Sequence, residues 1–325
     1  MGAAPPPALI RVNPDEPETT EERPLERPRA YSLENHETMA VYERRYQAYG
    51  GRILPRWRRI LTIPRFGLAS ALRTRRFAVS YFAALTPILG AALILYLPHN
   101  AALLEYTEFP RHLVDNLIED LFGIFLRLEA GWAVPLFLML HPAPIAQDLR
   151  SHALPLYLAR PMSRSDYVLG HMLTVVIPLS LTTWVGGLVL FLLQALLSGG
   201  DWMHGHIRLG IGIVLSGWLF VALLATLGLA VSALVKSPTF TGAALLATVL
   251  VGSAVGDSVH VVLDASWGRF LDLFALVSLA FSFLLEAQST GPVSGEAAVG
   301  ALIFYILVSG GLLFLQLKPW GGKDG

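Results

Sequence analysis

Long stretches without a charged residue recur along this chain, and they constrain its fold more than any other feature. About 20 consecutive, mostly apolar residues are needed for a helix to cross the hydrocarbon core of a bilayer. Six charge-free stretches reach or approach this length: 77–104, 130–147, 167–200, 209–235, 237–256 and 297–317. Only 15% of the residues are charged, against about 25% in a typical soluble domain. The sequence therefore predicts an all-α polytopic membrane protein with six transmembrane helices.

A seventh apolar window, 273–285, is too short to cross easily. Its length and position predict an interfacial or re-entrant helix on the outer side, just before the last span. An even number of crossings places both termini on the same side of the membrane.

The distribution of arginine and lysine predicts which side faces the cytoplasm, because basic residues are enriched in cytoplasmic segments. Basic residues of the segments beside the spans gather mainly on one side: Arg52, Arg56, Arg58, Arg59, Arg65, Arg73, Arg75, Arg76, Arg150, Arg160, Arg164, Lys236, Lys318 and Lys323. The other side has four, Arg111, Arg127, Arg208 and Arg269, among many acidic residues. Both termini are therefore predicted to be cytoplasmic.

Four regions follow from this plan. Residues 1–35 alternate proline with charge and lack an apolar signal segment, which predicts a disordered cytosolic tail. Residues 36–76 form a cytosolic amphipathic region, residues 77–317 the six-helix transmembrane domain, and residues 318–325 a cytosolic C-terminal tail.

Part of the amphipathic region, residues 52–76, interleaves arginine with large apolar residues. This pattern is typical of an elbow helix at the cytosolic interface, with arginines toward anionic headgroups. The elbow residues are Arg56, Trp57, Arg58, Arg59, Arg65, Arg73, Arg75 and Arg76. Pro55 and Pro64 are expected to divide it into short pieces. The alternative is a charge cluster that only orients the first span.

The residue types exclude several kinds of chemistry. With no cysteine, the chain has neither disulfides nor thiolate sites, and no phosphate-binding G-x-x-x-x-G-K-[ST] motif occurs.

Arg127 and Glu129 are expected near the outer boundary of the second span, where they could reach water. The third to sixth predicted spans contain no acidic or basic residue in their interior. No metal site or cofactor is predicted. Any source of energy would have to be a partner protein. Pro178 is expected to kink the third span.

The loop between the second and third spans carries more charge than a simple connection needs. Residues 147–167 contain Asp148, Arg150, Arg160 and Arg164 beside an apolar group of leucines and Tyr157. An apolar centre with a charged rim is ordinary interface anatomy. This composition predicts a docking surface, with Pro161 separating the loop from the next helix. The alternative is a basic loop that serves only topology.

The stretch "IAQDLRSHALPLYLARPMSRSDYVLGHM", residues 145–172, resembles the first cytoplasmic loop of type 2 ABC transporter permeases. Members commonly have an acidic residue, then L-x-L-x-x-[SA]-[RK]-P-x-[ST]-R, then x-x-[YF]-x-x-G-[KR]. The matching positions here are Asp148, Leu154, Leu156, Arg160, Pro161, Ser163, Arg164, Tyr167 and Gly170, while His171 stands where lysine is more usual. Residues 41–77 are also similar to the N-terminal entry of some of these permeases.

The resemblance implies a permease subunit of an ATP-driven exporter in the bacterial inner membrane. The loop would be a coupling helix seated on a separate cytosolic ATPase, with ATP hydrolysis in that partner. The coupling residues would be Asp148, Arg150, Leu154, Leu156, Tyr157, Arg160, Pro161, Ser163, Arg164 and Tyr167, with Lys236 in a smaller second contact. A second permease copy and membrane lipid would be the other partners, and no nucleic acid is expected.

Two other functions remain open at this point. The chain could be a membrane scaffold or assembly subunit that binds a partner through the same loop without transport. It could also be an intramembrane enzyme, in which case Arg127, Glu129 and His141 would be the residues to examine. The residues do not indicate a substrate.

Overall fold

The computed structural model describes residues 55–100, 111–140, 145, 148, 150–151, 163–235, 237–287 and 293–316. Every regular element in this part of the chain is helical. The helices are α1 (Arg56–Arg73), α2 (Arg75–Ala83), α3 (Thr86–Tyr96), α4 (Arg111–Met139), α5 (Arg164–Thr182), α6 (Trp184–Ser198), α7 (Gly200–Gly205), α8 (Ile207–Val235), α9 (Pro238–Leu263), α10 (Leu273–Leu284) and α11 (Gly295–Gln316), with 3-10 turns at Leu97–His99 and Ser266–Phe270. The predicted tails, 1–35 and 318–325, lie outside the described residues.

Six helical stretches of the described chain are long and apolar enough to cross a membrane. The first to sixth spans are Arg75–His99, Asp120–Met139, Arg164–Ser198, Ile207–Val235, Phe240–Leu263 and Gly295–Gln316. The short apolar helix α10 lies before the last of them. The predicted fold class is thereby confirmed: this is an all-α integral membrane protein with six candidate spans.

The second span differs from its predicted position. Its apolar helical stretch begins at Asp120 rather than at residue 130. Arg127 and Glu129 therefore lie inside the span and not at its outer boundary. The boundary prediction was wrong because it treated every charged residue as the end of an apolar stretch, whereas α4 continues through both residues.

Pro64 does not divide the elbow helix, contrary to the prediction. Pro64 lies inside α1, which continues without interruption to Arg73. The packing of α1 against α5 offsets the backbone hydrogen bond that proline cannot donate. Pro178 lies within α5, where the kink stays a prediction, and the third span is interrupted at Thr183.

The fourth span, α8, is the centre of the bundle. It packs against α4, α5, α6, α9, α10 and α11. In its most apolar window 72% of the residues are buried, against 11% in the fifth span. Glycine permits some of these close approaches: a β-carbon at Gly212 would collide with the backbone oxygen of Leu284, and one at Gly228 would collide with the ring of Phe137.

Contacts at the helix ends agree with six alternating crossings. A cluster of buried residues joins the beginning of α5 to the ends of α8 and α11; it contains Ile145, Tyr167, Val168, Leu229, Ala230, Ala233 and Leu313. Helices that run in opposite directions therefore meet on one side. This is the side that the sequence predicts to be cytoplasmic.

Candidate functional site

The end of the loop is fixed by a capping box at the start of α5. The Ser163 hydroxyl accepts a hydrogen bond from the Asp166 amide at 3.2 Å, and the Asp166 carboxylate accepts one from the Ser163 amide at 3.2 Å. Each side chain thereby satisfies a backbone amide that the first helical turn leaves unpaired. The sequence signal is Ser163 followed three residues later by Asp166.

Asp166 also ties the third span to the elbow helix. The Arg56 guanidinium donates to its carboxylate at 2.7 Å, across 110 positions of sequence. The Asp166 side chain is only 4% exposed, whereas that of Arg56 is 62% exposed. The buried carboxylate thus accepts hydrogen bonds from the Ser163 amide and from the Arg56 guanidinium, while the arginine remains in contact with water.

Helices α1 and α5 approach closely along their length. A β-carbon at Gly170 would lie 2.6 Å from the end of the Ile63 side chain, and one at Gly67 would lie 2.7 Å from the Thr174 methyl group. Neither distance allows a larger residue without movement of the neighbour. The elbow helix is consequently packed on the third span, a contact that the sequence analysis did not predict.

A hydrogen bond closes the base of the loop. The Tyr167 hydroxyl donates to the Asp148 carboxylate at 2.7 Å. Nε2 of His171 lies 3.8 Å from the same carboxylate, and the His171 ring stands edge-on to Tyr167. Burial raises the pKa of Asp148, and the hydrogen bond from Tyr167 partly opposes that rise. The two ends of the loop are therefore held together.

The predicted coupling residues divide into two groups where the structure describes them. Arg150, Ser163 and Arg164 are exposed, as a contact surface requires. Tyr167 is buried, with 1% of its surface exposed, and its partner Asp148 is half-buried, so this pair holds the base of the loop from inside. The remaining predicted coupling residues lie outside the described residues: Leu154, Leu156, Tyr157, Arg160, Pro161 and Lys236.

The elbow arginines are largely exposed on α1 and at the start of α2. Arg56, Arg58, Arg65, Arg73, Arg75 and Arg76 are exposed, and Arg59 is half-buried. The Arg58 guanidinium lies 5.0 Å above the Trp57 ring, a cation–π contact. A groove of about 670 Å³ runs between α1 and α5; it is lined mainly by Trp57, Arg58, Leu61, Arg65, Leu68 and Ile177. This surface combines positive charge with apolar side chains, as lipid contact at an interface requires.

The most unusual polar residue lies away from the loop. Glu129 in the second span is 0% exposed. Neither of its carboxyl oxygens has a hydrogen-bond donor among the described residues. Its burial was missed, although a signal was present: Phe125, Glu129 and Ala133 are four residues apart, so they share one face of α4, and all three are buried.

The chain matches no protein-family model, and comparison with curated proteins finds no match either. The class of protein is shown by the fold alone: it is an integral membrane protein with six candidate spans. The resemblance to ABC permeases rests on the loop and elbow residues themselves.

Proposed function

We propose that this chain is the membrane-spanning permease subunit of an ATP-driven ABC transporter, of the exporter type. A separate ATP-binding subunit would dock on the loop 147–167, and two permease copies would pair in the bacterial inner membrane. The observation that carries the proposal is the closed and anchored base of this loop. The Asp148–Tyr167 hydrogen bond joins its two ends, and the Arg56–Asp166 pair fastens it to the elbow helix.

A fixed base is what force transmission requires. If flexible chain alone connected the loop to the spans, a movement of the partner would displace the loop without displacing the helices. Here a displacement of the loop reaches α5 through the capping box and α1 through Arg56. It also reaches the fourth and sixth spans through the buried cluster around Tyr167.

The length of the third span supports access for a soluble partner. Its helical stretch contains 35 residues, which at about 1.5 Å per residue is roughly 50 Å. The hydrocarbon core is only about 30 Å thick. The span consists of two helices that meet at Thr183, and in this proposal the excess length lies at the start of α5, so that the loop reaches the aqueous phase.

The decisive experiment is purification of the tagged full-length chain in mild detergent. A P-loop ATPase should copurify, and its ATP turnover should depend on this chain. In the double variant Arg160→Glu and Arg164→Glu, two rim interactions of about 0.5–1 kcal/mol each are lost. Binding of the ATPase should therefore weaken by roughly five- to thirtyfold.

Arg208→Glu is the matched control. It reverses the same charge at an exposed position that the sequence predicts to lie on the opposite side of the membrane, so ATPase binding should be unchanged. A loop variant that retains full ATPase binding and transport would refute the coupling role. Binding of the ATPase through the loop, with an ATP turnover that does not depend on this chain, would instead favour the scaffold function.

Orientation has an independent test because the natural chain contains no cysteine. Each of Arg150→Cys and Arg208→Cys carries a single thiol at an exposed position. In intact cells, a membrane-impermeant maleimide should label the residue-208 variant and leave the residue-150 variant unlabelled until the cells are opened. Labelling of the residue-150 variant from outside would overturn the proposed docking of a cytosolic ATPase.

A further inference from the structure

We propose that Glu129 and the break in the third span form a proton-binding site inside the membrane-spanning bundle, in which the carboxyl group is held as a neutral acid. The bound species is the proton, and the site is defined by the enclosed carboxyl group of Glu129 and by the break at Thr183. This inference does not rest on the proposed function, since it concerns only residues within the chain.

The first step is the burial of the carboxyl group. Glu129 is completely enclosed, between Phe125 and Ala133 on the buried face of α4. An ionised carboxylate enclosed without partners carries a very large desolvation cost, and such groups take up a proton instead. The same cost makes buried acids inside membranes rare and functional.

The second step is the missing counter-ion. Arg127, two residues earlier, is turned away: its guanidinium donates to Ser278 at 3.2 Å and to Ser282 at 3.0 Å, both on α10. The helices packed against α4 carry one titratable side chain near Glu129, that of Tyr81. The other charged or titratable residues of these helices, and of the 3-10 turn Leu97–His99 that also contacts α4, lie near helix ends: Arg75, Arg76, Tyr96, His99, Arg164, Asp166, Tyr167, His171 and Arg208. No described residue forms an ion pair with Glu129.

The third step is the direction of the neighbouring hydrogen bonds. The Thr182 hydroxyl lies beside the Glu129 carboxyl group, yet it donates to the Leu179 carbonyl oxygen at 3.2 Å. Thr183 donates to the same carbonyl at 2.7 Å, and Tyr81 donates to the Pro178 carbonyl at 3.2 Å. Each of these three hydroxyls therefore has a backbone carbonyl oxygen as an acceptor within hydrogen-bond distance. Since a hydroxyl group can accept one hydrogen bond while it donates another, Thr182 can remain bonded to Leu179 beside a protonated Glu129.

The break gives the site a route for proton exchange. Helix α5 ends at Thr182 and α6 begins at Trp184, so the regular hydrogen-bonding ladder is interrupted beside the carboxyl group. Trp184 Nε1 is itself buried without an acceptor among the described residues. Bending at this point would admit water and allow the proton to leave, whereas the straight part of the bundle excludes it.

Infrared difference spectroscopy tests the proposal on the full chain in lipid nanodiscs. The carbonyl stretch of a protonated carboxylic acid should be present at neutral pH in the natural chain and absent from Glu129→Gln. Glutamine is the isostere of the neutral acid, so this variant should keep its melting temperature. A spectrum with only carboxylate bands assigned to Glu129 would refute the proposal, and loss of the acid band on adding sodium or potassium would identify a metal cation as the ligand.

A second measurement does not depend on any variant. A hydrophobic carbodiimide reacts with protonated acids in apolar surroundings, so it should modify Glu129 of the natural chain at neutral pH. A water-soluble carbodiimide should modify the exposed Glu286 instead. Modification of Glu286 by both reagents, with Glu129 untouched, would contradict a neutral acid at this position. ATPase copurification is scored separately, so failure here leaves the permease proposal standing.

Discussion

Replacing Tyr167 with phenylalanine tests the closed base of the loop most directly. The substitution keeps the buried ring and removes the hydroxyl that donates to Asp148 at 2.7 Å. A hydrogen bond to a charged group contributes about 1.5–3 kcal/mol. The Asp148 side chain retains 16% exposure and lies near His171, so water and His171 compensate for part of the loss. We expect the free energy of unfolding to fall by roughly 1–2 kcal/mol.

A double-mutant cycle separates this hydrogen bond from other effects of the substitutions. Tyr167→Phe, Asp148→Ala and the double variant would be unfolded in mixed micelles, and the coupling energy should be about 1–2 kcal/mol. Tyr305→Phe is the control: it removes a hydroxyl bonded to the Phe270 carbonyl oxygen and should be additive with Asp148→Ala. Trypsin should also cleave after Arg150 faster in Tyr167→Phe. A coupling energy near zero, with unchanged cleavage, would show that the hydrogen bond does not hold the loop.

Four further predictions concern the packing of the spans, the cap of α5 and the elbow. Gly212→Ala should lower the free energy of unfolding by about 1–3 kcal/mol, because the new methyl group meets backbone rather than a side chain that can move; Gly310→Ala, in open space, should have no such effect in the same unfolding assay. Arg127→Ala should increase hydrogen–deuterium exchange in α10, since two serines of that helix lose their donor, and unchanged exchange would contradict this contact. Ser163→Ala should lower the free energy of unfolding by about 1 kcal/mol through loss of the cap. Arg56→Ala should increase deuterium uptake in α1 but not in α11. Equal uptake in the natural chain and in the Arg56 variant would argue against the anchor between Arg56 and Asp166.

The spans could be predicted from the sequence because hydropathy and length act locally. The six windows correspond to the six helices, and the short window before the last span corresponds to α10. The errors arose where tertiary packing overrides a local rule. Pro64 was expected to end a helix, but α1 lies against α5 and continues. Glu129 was expected to end an apolar stretch, but the bundle encloses it.

The candidate site was predictable only in part. The capping sequence from Ser163 to Asp166 and the exposed arginines follow from local patterns. The Arg56–Asp166 contact spans 110 positions, and no periodicity in one sequence indicates which arginine reaches which carboxylate. Tyr167 illustrates the same limit: its position suggested a contact surface, while the fold buries it against the end of α8.

The uneven burial of the spans has a consequence for the response of the protein to bilayer thickness. The fourth span is enclosed by its neighbours, whereas in the first, fifth and sixth spans only 17%, 11% and 22% of the residues of the most apolar window are buried. Hydrophobic mismatch acts where acyl chains touch protein, and it is relieved by tilting. A thinner membrane should therefore tilt the peripheral helices while the fourth keeps its inclination, and the interhelical angles around it would change with lipid composition.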